Sequence, residues 1–466
     1  MYSNDTQQSQ YKTISNREKF CFGIGALGKD APVNLMNSFY MLFLTDSLFI
    51  APAFIGVLYF VARIWDAFND PMMGLIVDNT RSKYGKFRIW LVIGTLVNSV
   101  VILVMYRSFH LQGTALYAFV AITYILYGMT YTIMDVPYWS WLPNLTNDPR
   151  EREKVSVIPR IFASMSCLII GTFGLYVIKW FNASKGLSDL SEYGFTSFAV
   201  IIVILFLFFV AITVFNVKEE STAGAKGQKT GFKKALKVIL KNDQLLIFMG
   251  YLLTYNLCIQ FARGFAVYYF KVVCGNQYLY SVFGMTYAVE MLGLFLMPYI
   301  SGRLGRPNAF KLSCAAPVIG LVMLGVSGYL APDNVVLVAV SSGIFMFGTG
   351  LSTGVTTCCM ADVIDYGQVK FGVRNESVTC SAQTFLMKMA IAFAGLFTGV
   401  GLQMVGYDAK LAEPTARMVN GIRGLMILVP VVFVILSYTI YRRYYKLKGE
   451  KLEEVLKEAQ RLSKES

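Results

Sequence analysis

Arg63-Ile-Trp-Asp66-Ala-Phe-Asn69-Asp70-Pro71 sets two carboxylates four residues apart in an apolar stretch. On a helix, Asp66 and Asp70 share one face, and Arg63 and Asn69 lie on or near it. Like charges at that spacing repel. In a surrounding without water, a cation or a proton must settle the repulsion, since Arg63 neutralises only part of it. A static salt-bridge cluster is the alternative. Hard oxygen ligands suit Na⁺ as they suit other hard cations, and Pro71 would kink the helix or open backbone carbonyls nearby. A second pattern, Tyr131-Thr132-Ile-Met-Asp135-Val-Pro137-Tyr-Trp139, puts Asp135 and Trp139 one turn apart, with Thr132 a turn earlier. A carboxylate accepts from adjacent hydroxyls and an indole packs on the C–H face of a sugar ring, although a lone Trp in such a segment commonly packs in a core or faces lipid. Lys29, Asp30, Arg160 and Lys388 supply donors for sugar oxygens or counter-charges. Asn256, Gln260 and Arg263 fall on one helical face, and Glu290 follows on the next segment. A pairing of Arg263 with Glu290 would relieve both charges, and sugar contact is the other reading.

The elements that must position these residues are membrane-spanning helices. Only 15% of the 466 residues are charged and 55% are hydrophobic, against about a quarter charged in a soluble domain. A spanning helix needs about 20 mostly apolar residues. Twelve candidates are predicted, over 20–48, 54–78, 88–108, 113–142, 157–181, 195–216, 245–272, 280–301, 308–329, 334–360, 379–405 and 420–442. An all-α membrane protein of two six-helix halves follows, the halves being 20–216 and 245–442 with a polar loop over 217–244 between them. Arg81-Ser-Lys83-Tyr-Gly85-Lys86 and Gly302-Arg303-Leu-Gly305-Arg306 each place a Gly between basic residues after the second span of a half. That is the mark of a parallel duplication, the major facilitator architecture. Basic residues concentrate in the N-tail 1–19, the odd-side loops and the C-tail 443–466, which puts both termini in the cytoplasm. The segment 447–466 is predicted to be a short charged amphipathic helix or a solvated tail.

The net charge of +14 is spread over short loops between apolar runs, so nucleic-acid binding is excluded. A single histidine, His110, and the absence of Cys/His metal spacing among 8 cysteines argue against a zinc site or a catalytic triad. No apolar leader precedes residue 20. An ionisable residue inside a span costs about 2.5–3.5 kcal/mol at a helix centre and marks function by default.

These residues resemble the glycoside–pentoside–hexuronide cation symporters of the major facilitator superfamily, most closely the sodium/melibiose carriers. The resemblance runs over roughly 18–445. It is carried by Gly28-Lys29-Asp30, Val61 to Pro71 with Arg81-Ser-Lys-Tyr-Gly-Lys-Phe87, Tyr131-Thr-Ile-Met-Asp135, Arg150-Glu-Arg-Glu153 and Ala361-Asp-Val-Ile-Asp365-Tyr-Gly367. It implies a cation site at Asp66, Asn69, Asp70 and Thr132, and sugar contacts at Lys29, Asp30, Asp135, Trp139, Arg160, Gln383 and Lys388. It also implies cytoplasmic gate charges at Arg152, Asp362, Asp365, Arg374 and Glu376. The chain departs from the melibiose carriers at Thr353, where they have a Trp, and at Arg263 and Glu290, where they have uncharged polar residues. An added Arg would suit an acidic sugar such as a hexuronide.

The expectation is a multi-pass carrier of the cell's inner membrane that takes up a galactoside with Na⁺ by alternating access. Another glycoside or hexuronide, and Li⁺ or H⁺ as the coupled cation, are the alternatives. A lipid carrier of the same superfamily and an integral membrane enzyme are less consistent with the hydroxyl-binding residues and with the missing nucleophile–base set. No cofactor, nucleic acid or obligate protein partner is expected; the partners are the sugar, the cation and the bilayer.

Overall fold

The computed structural model describes residues 14–142, 145, 149–219, 241–372, 376–411 and 413–465, and these are almost entirely helical. The helices are α1 (Asn16–Leu35), α2 (Pro52–Asn79), α3 (Lys86–Met105), α4 (Gly113–Trp141), α5 (Pro149–Ala183) and α6 (Glu192–Asn216). They continue as α7 (Asp243–Tyr268), α8 (Leu279–Met285), α9 (Tyr287–Leu304), α10 (Arg306–Leu330), α11 (Val335–Phe371), α12 (Glu376–Met404), α13 (Ala416–Tyr444) and α14 (Glu450–Glu465).

Among the described residues, ten spans are long and apolar enough to cross a membrane, with α8 and α9 forming one of them, Leu279–Leu304. The first two predicted spans correspond to α1 and α2, which carry Lys29 and Asp30, and Arg63, Asp66 and Asp70. Those charges, not a lack of length, lower their hydropathy. α1 begins where Ser15 and Glu18 form a reciprocal capping box, which satisfies two otherwise orphaned donors. Beyond Leu35 the same rod passes through two π-helical turns, Met36–Tyr40 and Phe43–Ser47.

Two predicted boundaries are corrected. The tenth span does not stop at 360: α11 runs on to Phe371, since no proline intervenes before Gly372, whose φ of 69° makes the left-handed cap. The C-terminal segment is not merely solvated. α14 packs on α11, burying Val455 and Ala459, because its apolar residues recur at helical spacing on one side.

The chain divides into two compact units, Met1–Ala51 with Val61–Ala225, and Pro52–Phe60 with Lys226–Ser466. In the first, α1 packs on α5 and α6, and α3 on α4 and α6. In the second, α7 packs on α12 and α13, and α10 on α11 and α13. The pairing scheme is the same in each. The basic motifs repeat in backbone as well. Gly85 (φ 95°, ψ 150°) precedes α3 and Gly305 (φ 78°, ψ 152°) precedes α10, a conformation that an L side chain rarely adopts. At α3, Glu219 accepts from the amides of Phe87 and Arg88, both at 3.0 Å, supplying the negative charge that a helix N-terminus favours.

Candidate functional site

The buried lysine of α1 anchors the first cluster. Lys29 is 1% exposed, and its Nζ donates to Asp30 Oδ1 at 2.5 Å and to Asp135 Oδ1 at 2.7 Å. A buried ammonium is tolerated only when paired in this way. The Tyr131 hydroxyl lies 3.2 Å from Asp30 Oδ1 and 3.3 Å from Asp135 Oδ1. The Trp139 indole donates to Asp135 Oδ1 at 3.1 Å. The ammonium also stands 5.0 Å from the Trp139 ring and 5.2 Å from that of Tyr138, within cation–π range. α1 and α4 are held in register by Tyr138, whose hydroxyl donates to the Phe22 carbonyl at 2.6 Å and whose ring stacks on Phe22 at 4.5 Å. Asp30, Asp135 and Trp139 each remain half-buried, so a polar ligand can reach them. One ammonium against two carboxylates leaves one surplus negative charge, suited to hydroxyl donors.

The second cluster lies between α2 and α4. Arg63 Nη1 donates to Asp66 Oδ2 at 3.1 Å, and the Thr132 hydroxyl reaches Asp70 Oδ1 at 3.1 Å. Arg63 thus takes up the charge of Asp66. Asp66 is buried. Asn69 Nδ2 is buried without a hydrogen-bond partner, which leaves the amide's orientation unconstrained by that end. Gly128 of α4 comes so close that a Cβ there would stand 3.0 Å from Asp66 Oδ1. Two carboxylates, an amide and a hydroxyl form an all-oxygen donor set, the kind a hard monovalent cation takes, again with one surplus negative charge.

Both clusters share α4. Gly128, Thr132, Asp135 and Trp139 follow one another at three- or four-residue steps along it, the spacing that lines residues up on one side of a helix. Tyr131 and Gly128 were not singled out from the sequence. Their signal was available: Gly128 stands four residues before Thr132, and Tyr131 four before Asp135.

The other predicted residues are placed less tightly. Arg160 on α5 is exposed, and no described side-chain contact joins it to Lys29, Asp30 or Asp135. Gln383 and Lys388 sit half-buried on α12 of the second unit. Asp362, in the C-terminal part of α11, is buried and accepts two bonds from Arg306, at 2.8 and 2.7 Å. The repeated basic motif thus supplies the partner of one carboxylate predicted to belong to a gate. Asp365 is half-buried a turn later. Arg374 and the side chains of Arg152 and Glu376 lie outside the described residues.

Comparison with known proteins identifies the family. The profile of the family described as MFS/sugar transport protein matches residues 21–449. The isoprimeverose transporter of Lactiplantibacillus pentosus is 29% identical, over 92% of this chain and 88% of its own. The raffinose carrier protein of Pediococcus pentosaceus is 26% identical, over 98% of this chain and 73% of its own. Among solved structures, a proton-dependent oligopeptide transporter superposes with a TM-score of 0.65 at 11% identity, covering 96% of this chain and 100% of that one. That likeness extends to the fold alone.

Proposed function

Since the chain belongs to the MFS/sugar transport protein family, and is a multi-pass transporter of the cell membrane rather than an enzyme, we propose that it is a sugar:cation symporter taking up a galactoside such as melibiose with Na⁺. One observation carries the reading: each of two adjoining clusters on α4 combines one basic side chain with two carboxylates. Around Asp66 and Asp70, a single monovalent cation balances the surplus charge, with Asn69 and Thr132 as neutral oxygen ligands. Around Asp30 and Asp135, sugar hydroxyls donate to the carboxylates, Lys29 donates back, and Trp139 offers its face to the ring. Arg160, Gln383 and Lys388 belong to the sugar site in this proposal. Arg152, Asp362, Asp365, Arg374 and Glu376 act as the cytoplasmic gate.

The proposal includes twelve spans in two halves and both termini in the cytoplasm. Binding of the cation removes the repulsion between Asp66 and Asp70 and draws α2 to Thr132. That fixes α4, and with it Asp135 and Trp139. The halves then alternate in access about the loaded site.

Uptake of radiolabelled melibiose into sugar-negative cells, with Na⁺, Li⁺ or neither at fixed pH, tests the reading. Na⁺-stimulated uptake is expected. Uptake indifferent to Na⁺ and Li⁺ but driven by a proton gradient would move the coupling to protons, and no uptake would remove melibiose from the assignment.

Gly128→Ala tests the cation site without touching a ligand. Its added Cβ, 3.0 Å from Asp66 Oδ1, has to push the carboxylate aside. Half-saturation by Na⁺ is expected to rise about tenfold, the equivalent of about 1.4 kcal/mol, with sugar binding in Na⁺-free buffer unchanged. An unaltered Na⁺ titration would detach Gly128 from the site.

A further inference from the structure

Arg263 and Glu290 form an ion pair that the two clusters on α4 do not use. Arg263 Nη2 donates to Glu290 Oε2 at 2.7 Å, and the guanidinium lies 4.9 Å from the ring of Tyr287, one turn before Glu290. Arg263 is ten residues from the end of the span Asp243–Val273, and Glu290 eleven from the start of Leu279–Leu304. At 1.5 Å per residue both lie about 15 Å in, near the middle of a ~30 Å hydrocarbon core. Their side chains are 28% and 23% exposed. A charged pair at that depth does not face lipid; it opens on protein or on a water-filled path.

The acid is rigidly mounted. The Glu290 carbonyl packs so tightly on α11 that a Cβ on Gly350 would stand 2.0 Å from it. One turn beyond Gly350, Thr353 is exposed, its hydroxyl donating to the Thr349 carbonyl at 3.0 Å. Arg263, Glu290 and Thr353, the three positions where the sequence leaves the melibiose-carrier pattern, therefore lie on three helices that meet in one unit.

An unpaired arginine here would be a receptor for a sugar carboxylate, since its planar fork matches that group. It is not unpaired. Glu290 already engages the fork at Nη2, and an acidic sugar pairing with Arg263 would set a second negative charge beside this part-buried carboxylate. We propose that the Arg263–Glu290 pair is a specificity element that selects neutral sugars and refuses sugar acids. The inference rests on the sugar-transport reading above, and it reverses the expectation that the added arginine favours a hexuronide.

The test compares methyl galactoside with methyl galacturonide, which differ only in oxidation at C6. Binding to purified protein is measured alongside counterflow in proteoliposomes. The wild type is expected to take the galactoside alone. Glu290→Gln keeps the shape but releases the arginine, and is expected to gain galacturonide affinity by about tenfold or more. The double variant Arg263→Gln with Glu290→Gln should lose that gain and keep galactoside transport. Arg263→Gln alone bares Glu290 and should shift preference toward a methyl galactosaminide, giving a second readout if Glu290→Gln is too unstable to purify. A wild type that carries the galacturonide as well as the galactoside overturns the inference. So does a Glu290→Gln variant that binds galactoside and melts normally yet gains nothing for the acid. A wild type that takes neither sugar, nor any other in a glycoside panel, fails at the sugar-transport reading, and the selectivity falls with it.

Discussion

Asp135→Asn is expected to raise the dissociation constant for sugar about 100-fold or more. Asp135 Oδ1 is the point at which Lys29, Tyr131 and Trp139 converge, so its charge sets the polarity of the whole cluster. Hydrogen bonds to a charged acceptor contribute about 1.5–3 kcal/mol each, and losing the charge toward two sugar hydroxyls amounts to about 3 kcal/mol, a factor of ~100. The substitution preserves the acceptor for the Trp139 indole and leaves Lys29 paired with Asp30 at 2.5 Å. The fold should therefore survive, which the melting temperature of the purified protein will show. Calorimetric titration with melibiose in saturating Na⁺ is the measurement. A dissociation constant within threefold of the wild type would take Asp135 out of the sugar site and leave the cluster as a structural link between α1 and α4.

Asp70→Ala is expected to abolish the effect of Na⁺ on sugar affinity while sparing the weak binding seen without Na⁺. Coupling between two ligands is typically about 1–3 kcal/mol, or 5–150-fold, and the whole of it should vanish. Without Asp70 the Arg63–Asp66 pair is already neutral, and no charge remains to attract a cation. Thr132 also loses its partner across the α2–α4 contact, so the proposed route from cation to Asp135 is cut at its first step. Thr132→Val should give a smaller version of the same defect, because a neutral ligand is lost rather than a charge. Titrating sugar at several Na⁺ concentrations separates this from a general loss of binding. By reciprocity, Na⁺ affinity measured with and without sugar must change by the same factor in the wild type and not at all in Asp70→Ala. Persistence of Na⁺ enhancement in the variant would reassign the cation site.

Much of this was legible before any coordinates. The spans were visible because apolar length is a property of the chain alone, and the duplicated Gly-and-basic motif was visible because its residues are local. The i,i+4 relation of Asp66 to Asp70 and of Asp135 to Trp139 needs only the assumption of a helix. Helix ends were less legible. The continuation of α11 to Phe371 depends on a glycine acting as cap at one place and being tolerated in the helix at others.

Apart from the pairing of Arg263 with Glu290, partners across helices could not be read, since sequence separation says nothing of which rotation each helix adopts. Lys29 meets Asp135 across 106 positions, and Thr132 meets Asp70 across 62. From sequence, Arg63 was one candidate counter-charge for two carboxylates; the packing pairs it with Asp66 and brings the Thr132 hydroxyl to Asp70. The pairing of Arg263 with Glu290 was one of two readings open from the sequence, and the ion pair between α7 and α9 decides for it. The sequence by itself determined which charges had to be buried, because composition and periodicity set the cost of placing them in a membrane. Tertiary structure decided how each was neutralised, because that depends on distances of about 3 Å between residues the chain keeps far apart, and on close approaches such as Gly128 to Asp66 that only packed helices define.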